Sequence, residues 1–196
     1  MKKTDASKRI QIIHVAIELF RAQGFDATAV QDITKAANIA KGTMYLYFKS
    51  KEDLIEQVFD YCHDRDVACC DMGLEEEATA IDKLCKRMDN AINWAITHEN
   101  EATVERMYLH YPKKREGVGI RYVEQKHFHS VDPIIRAGIA SGELKKLPSA
   151  LLGEVFFGIA AAYYYYAQSN PEQINNEEIW ALCRQTVKDC LENSEK

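Results

Sequence analysis

Four prolines and nine glycines among 196 residues leave little to interrupt regular structure. Runs of β-branched residues are also few, so helical periodicity dominates and strands are not expected. No apolar run reaches the ~18 residues that suggest a membrane span. The closest, 151–167, holds Glu154, two glycines and four tyrosines, and reads as a buried helix of a soluble protein. The first nine residues are charged and lack an apolar signal region, so a cytoplasmic location is expected. The six cysteines (62, 69, 70, 85, 183 and 190) lack zinc-ribbon spacing and are expected to be reduced. There is no Ser/His/Asp or Cys/His signature with its local context, and no phosphate-binding glycine loop. No enzymatic activity, cofactor or metal is expected.

What is present is an uneven charge. Residues 1–51 hold nine Lys/Arg against four acids, a balance of +5. The remainder holds 16 against 26, a balance of −10, within a net charge of −5. A basic head on an acidic body implies a polyanion bound at one end only. Lys2, Lys3, Lys8 and Arg9 add to that head as non-specific attraction or as a solvated tail.

Helical periodicity divides the chain. A first helix over 7–23 places Ile10, Ile13, Ile17 and Phe20 on one face, and Gly24 caps its end. Thr28 and Gln31 have capping-box spacing for a second helix. Asn38 tolerates positive φ and makes the turn. A third helix over 40–48 puts Lys41, Thr43, Tyr45 and Tyr47 outward on a backing of Met44 and Phe48. Such a unit suits a DNA major groove. Ser50 caps a fourth helix to about residue 70, with Glu52 and Asp53 in its first turn.

Beyond a glutamate-rich loop at 71–79, a helix carries Ile81, Leu84, Cys85, Met88 and Ile92 on one stripe. Helices over 101–111 and 120–141 follow, the latter with Val123, His127, Val131 and Ile134 aligned and Gly142 at its end. The helix over 149–169 is apolar nearly all round, so it is buried on more than one side. With the helix over 175–193 it can form half of a four-helix dimer interface. Candidate interface residues are Gly153, Phe156, Gly158, Ala161, Tyr164, Ile179, Cys183 and Val187.

Residues 10–54 carry I-x-x-x-A-I-E-L-F-x-x-x-G-F-x-A-T-x-V-x-D-I-x-x-A-A-x-I-x-K-G-T-M-Y-x-Y-F-x-S-K-E-D-L. This pattern resembles the DNA-binding domain of the TetR family of bacterial transcriptional regulators. The remainder is similar in layout only, with G-I-A-S-G-E-L at 138–144 resembling the segment that often precedes the dimerisation helices. The resemblance implies an all-α protein: an N-terminal three-helix helix-turn-helix domain over 1–50, then a helical ligand-binding and dimerisation domain over 51–196. Ala40 stands where the family often has serine, and Ala29 replaces the second of two frequent threonines.

Thr28, Tyr47 and Lys51 look like phosphate-positioning residues, with Lys41, Gly42, Thr43 and Tyr45 at the front of the recognition helix. Lys41 can donate to guanine O6 or N7. Thr43 can offer a methyl to thymine or a hydroxyl to an acceptor. Gly42 lets the backbone approach DNA closely. The resemblance also implies a small-molecule effector among the central helices. Candidate contacts are Cys62, Met88, Ile92, Met107, Tyr108, Tyr111, His127, Phe128 and Phe157.

The function expected is a homodimeric repressor released from a roughly palindromic double-stranded DNA operator by a small apolar or aromatic ligand. Ligand would shift the placement of the 52–70 helix, and with it the spacing of the two recognition helices. Two alternatives are a thiol- or metal-responsive regulator using Cys69 and Cys70, and a helical metalloenzyme. The latter would draw on Glu124/His127 and Asp60/His63, which fall short of two E-x-x-H motifs plus two further glutamates.

Overall fold

The computed structural model describes residues 3–116, 120–173 and 176–193, without the side chains of 3–5, 120–126, 167–169 and 171. Lys2 and the side chains of Lys3, Val123 and Glu124 therefore lie outside the described residues. Nine α-helices are described: α1 Lys3–Gln23, α2 Val30–Ala36, α3 Lys41–Tyr45, α4 Lys51–Cys70, α5 Ala80–Thr97, α6 Glu99–Leu109, α7 Ile120–Ser141, α8 Ser149–Ser169 and α9 Glu177–Leu191. The described residues form no strand beyond an isolated bridge between Leu144 and Glu192.

The helices gather into two compact units, residues 1–66 with 98–120 and residues 67–97 with 121–196. This division differs from the expected boundary at 50/51 in two ways. Most of α4 stays with the head, and α6 joins it. The reason is packing against α1. Arg21 donates to Glu99 at 2.6 Å, Asn100 donates to Glu18 at 2.7 Å, and Phe25 meets Tyr108 edge-on.

In the first unit, Ile13, Ile17 and Phe20 of α1 close over Ile33, Met44, Phe48 and the buried stripe Leu54, Ile55, Val58, Phe59 and Cys62 of α4. Each large side chain so buried contributes about 1.5–3 kcal/mol. Gly24 adopts φ +83° at the end of α1, and Asn38 takes φ +50° between α2 and α3. Both are the turn residues expected from sequence.

The second unit packs the α5 stripe of Ile81, Leu84, Cys85, Met88 and Ile92 against Val131 and Ile135 of α7, Leu152 and Phe156 of α8, and Val187 and Leu191 of α9. A Cβ at Gly153 would collide with the Phe128 ring, so glycine there lets the ring of α7 lie directly on α8. Gly142, at φ +78°, ends α7 as expected.

Candidate nucleic-acid interface and effector body

The recognition unit is shorter and differently capped than its sequence suggests. Thr28 is fully buried, and its hydroxyl donates to Gly24 O at 2.7 Å. The hydroxyl therefore belongs to the turn after α1, and Thr28 is corrected from a phosphate contact to a structural residue. The cap of α2 moves one residue on. Ala29 is the N-cap, and its N–H donates to Asp32 Oδ2 at 3.2 Å, where a Thr28/Gln31 box was expected.

Helix α3 spans five residues, with Ala40 as an N-cap that makes no side-chain bond and Leu46 as C-cap. Met44 and Phe48 are buried, as their backing role requires. Lys41, Gly42 and Tyr45 are exposed, and Thr43 and Tyr47 are partly exposed. Apart from its chain neighbours and the backbone of its own helix, nothing described lies within 4 Å of where a Cβ on Gly42 would stand, so this surface is open.

Leu46 is 81% exposed beside Tyr45. Sequence reasoning passed over it because a leucine flanked by core residues reads as core. The signal was its position, two residues after the buried Met44 and two before the buried Phe48, on the side where neither points.

The unit is anchored from behind. Ser50 Oγ accepts from Asp53 N–H at 3.1 Å, as expected of a cap. Asp53 accepts from Lys49 N–H at 2.6 Å and from Gln57 Nε2 at 2.9 Å. Gln57 Oε1 in turn accepts two bonds from Arg9, whose guanidinium lies 5.8 Å from the centre of the Phe48 ring. Arg9 thus holds the end of the recognition segment rather than belonging to a solvated tail. Lys51 Nζ donates to Asp26 O at 3.1 Å, which places its charge beside the turn between α1 and α2.

The proposed effector contacts separate. Cys62, Met107, Tyr108 and Tyr111 lie in the first unit, and Met88, Ile92, His127, Phe128 and Phe157 in the second. Two of the first group have structural work. Tyr108 stacks on Phe59 at 4.4 Å and accepts from Arg115 N–H at 2.9 Å. Tyr111 packs on Phe25 and donates to Asp26 Oδ1 at 3.1 Å. Lys113 joins it at 2.9 Å, and these two hydrogen bonds hold the Asp26 carboxyl below its ordinary range.

The Asp60/His63 pair is also divided. Asp60 takes a two-pronged bond from Arg115, and His63 Nδ1 lies 2.7 Å from Glu105 Oε1, buried under Phe59. The six cysteines are free. Burial pushes the Cys62 thiol up, and the Cys85 thiol to about 11, which disfavours the reactive thiolate. Cys70 is buried, and Cys69 is partly exposed.

In the second unit the expected dimer residues divide by exposure. Gly153, Phe156 and Val187 are buried in the protomer's own core. Gly158 and Ala161 are exposed, while Tyr164, Ile179 and Cys183 are intermediate. Around them Leu151, Tyr165, Tyr166 and Leu182 are large and exposed. The three on α8 were not singled out in sequence, because an all-apolar helix does not reveal which side its own protomer covers. Arg87 was also missed. It is buried on the α5 stripe and bonded to Asp71, Ser130 and His127.

Among the described residues no helix is long and apolar enough to cross a membrane. A family model described as bacterial regulatory proteins, tetR family, matches residues 12–58. The fatty acid metabolism regulator protein of Bacillus subtilis is 30% identical over 157 residues, 80% of this chain and 81% of that one. The structure of the transcriptional regulator FadR from Bacillus subtilis, in complex with stearoyl-CoA, superposes with a TM-score of 0.75 at 27% identity. It covers 91% of this chain and 95% of its own. A TetR family transcription regulator from Marinobacter aquaeolei superposes with a TM-score of 0.77 over 98% of this chain and 100% of its own, a likeness of fold at 20% identity. These relatives are regulators rather than enzymes, and they lend no support to a thiol- or metal-governed protein.

Proposed function

This chain belongs to the tetR family of bacterial regulatory proteins and is a DNA-binding transcriptional repressor that answers to a small molecule, and we propose that the molecule is a long-chain acyl-CoA. The observation that carries the proposal is the 30% identity, over four-fifths of both chains, to a fatty acid metabolism regulator. A solved structure of a Bacillus subtilis regulator, 27% identical, holds stearoyl-CoA. The repressor works in the cytoplasm as a homodimer, each protomer placing Lys41 to Tyr47 in a major groove. Half-sites about 34–36 Å apart, or somewhat more, would match two such units on a roughly palindromic operator.

Lys41 and Thr43 read base edges, Tyr45, Tyr47 and Lys51 position the backbone, and Leu46 meets thymine methyl groups. Their exposure and the +5 charge of residues 1–51 support this division. The effector acts through α4, which carries the end of the recognition segment at its start and has its last turn in the second compact unit. Ligand binding favours the DNA-incompetent placement of α4, by no more than its differential affinity for the two states.

A mobility-shift assay on DNA from upstream of the protein's own gene tests the reading. Stearoyl-CoA should abolish the shift, and CoA alone should not. A shift that persists at saturating stearoyl-CoA overturns the ligand. Tyr45→Ala and Lys51→Ala should each weaken operator binding by about 1–3 kcal/mol per half-site. Wild-type binding by both would overturn the assignment of the surface.

A further inference from the structure

We propose that Arg87 is the group that reads the oxygen-bearing head of the acyl ligand, and that it does so by giving up Asp71, the residue that follows α4. The inference rests on the acyl-ligand reading and assigns it a site.

Arg87 is 2% exposed on a helix face otherwise made of Leu84, Met88 and similar side chains. A buried guanidinium demands acceptors for its donors. Its Nε–H lies 2.9 Å from Asp71 Oδ1 and 3.2 Å from Ser130 Oγ, and Nη2 lies 2.9 Å from His127 Nδ1. Arginine can only donate, so His127 Nδ1 accepts, and that ring carries its proton on Nε2. The Ser130 hydroxyl spends its own proton on His127 O at 2.9 Å. Of the three partners only Asp71 is charged, and its side chain is 33% exposed. The buried cation is therefore balanced by a carboxylate that water can reach; another oxygen acceptor can take over its hydrogen bond, and an anionic one its charge as well.

What Asp71 controls makes the exchange consequential. Helix α4 ends at Cys70. Asn90, one turn beyond Arg87 on α5, donates to Cys70 O at 3.1 Å and to Met72 O at 2.8 Å. So α5 grips the end of α4 twice, by Asn90 through the backbone and by Arg87 through the Asp71 side chain. The Asn90 grip is neutral, and an oxygen-bearing head group offers it no better partner. The Arg87 grip depends on charge and can be contested.

The surroundings suit an amphipathic ligand. His127 faces Phe157 with ring centres 6.5 Å apart, and Phe157 packs against the cluster of Met88, Ile92, Val131 and Phe156. An alkyl chain on that bed would bring its head oxygen to Arg87. A thioester carbonyl and a free carboxylate share this chemistry.

The test uses the full-length protein with stearoyl-CoA and stearate as separate probes, and reads the ligand Kd without DNA and the ligand concentration that releases half of the bound operator. Asp71→Asn removes the competitor. It should bind ligand about tenfold tighter and release DNA at a correspondingly lower concentration. Arg87→Gln should bind ligand at least about tenfold more weakly and, having lost the same grip on α4, should hold the operator less tightly than wild type even without ligand. If Arg87→Gln does not fold, the Kd of Asp71→Asn decides alone, because a purely structural Asp71 would leave ligand affinity unchanged. Wild-type Kd in Asp71→Asn, or in folded Arg87→Gln, overturns the inference and leaves the acyl-ligand reading standing. A wild-type protein that binds neither probe overturns both. Whichever probe Asp71→Asn binds more tightly identifies the head group.

Discussion

The two compact units use exposed apolar residues differently. Among the described residues of the first unit, the large exposed apolar side chains are Tyr45 and Leu46, both in the recognition segment. In the second they are Met72, Leu147, Leu151, Tyr165, Tyr166 and Leu182, mostly on α8 and α9. Elsewhere the first unit is closed by aromatic contacts, with Phe20 against Phe25, Phe25 against Tyr108 and Tyr111, and Tyr108 on Phe59. An apolar side chain left in water is uninformative singly but informative in a cluster. Here one cluster sits beside Lys41 in a recognition segment proposed to meet DNA, and the other on an acidic unit proposed to meet a second copy of itself. The same physical signal points to different partners because the surrounding charge differs.

The largest expected effect breaks the closed side of this comparison. Phe59→Ala removes a fully buried ring stacked between His63 and Tyr108, and should cost about 3–5 kcal/mol in urea denaturation. A loss below about 1 kcal/mol would mean that α6 is not packed on α4 as described.

A second substitution breaks the open side. Leu182 is 66% exposed, so Leu182→Glu should leave the fold intact by circular dichroism. It should shift the protein from dimer to monomer in sedimentation and lower operator affinity by roughly a hundredfold, because the half-sites no longer bind as one unit. A dimer of unchanged stability would remove α9 from the interface.

The smallest effect sharpens the docking of α6. Asp26 has its carboxyl pKa lowered by the Lys113 and Tyr111 hydrogen bonds. The stabilisation this pairing contributes is present above the ordinary value near 3.8 and is lost as pH falls through the lower folded value. Asp26→Asn should therefore lower the thermal midpoint slightly at neutral pH and match wild type at about pH 2. A difference that survives in acid would show that the pairing is not its origin.

Much of the head was legible in the sequence because its signals are local. Gly24 at φ +83°, Asn38 at φ +50° and the Ser50 cap each depend on a few neighbouring residues. The backing roles of Met44 and Phe48 follow from helical spacing. Thr28 was misread because a threonine before a helix usually caps it, whereas here the carbonyl of Gly24 captures its hydroxyl. Tyr108 and Tyr111 read as a ligand wall because aromatic residues on a helix look alike until their partners, here Phe59 and Phe25, are seen.

The sequence by itself determined the helices, the recognition turn and the basic head, since these rest on periodicity, turn chemistry and charge. Only the tertiary structure decided that α6 belongs with the head, that Leu46 faces outward and that Arg87 grips the end of α4. Each of these depends on residues far apart in the chain meeting in space, and no local spacing encodes which of several apolar faces meets which.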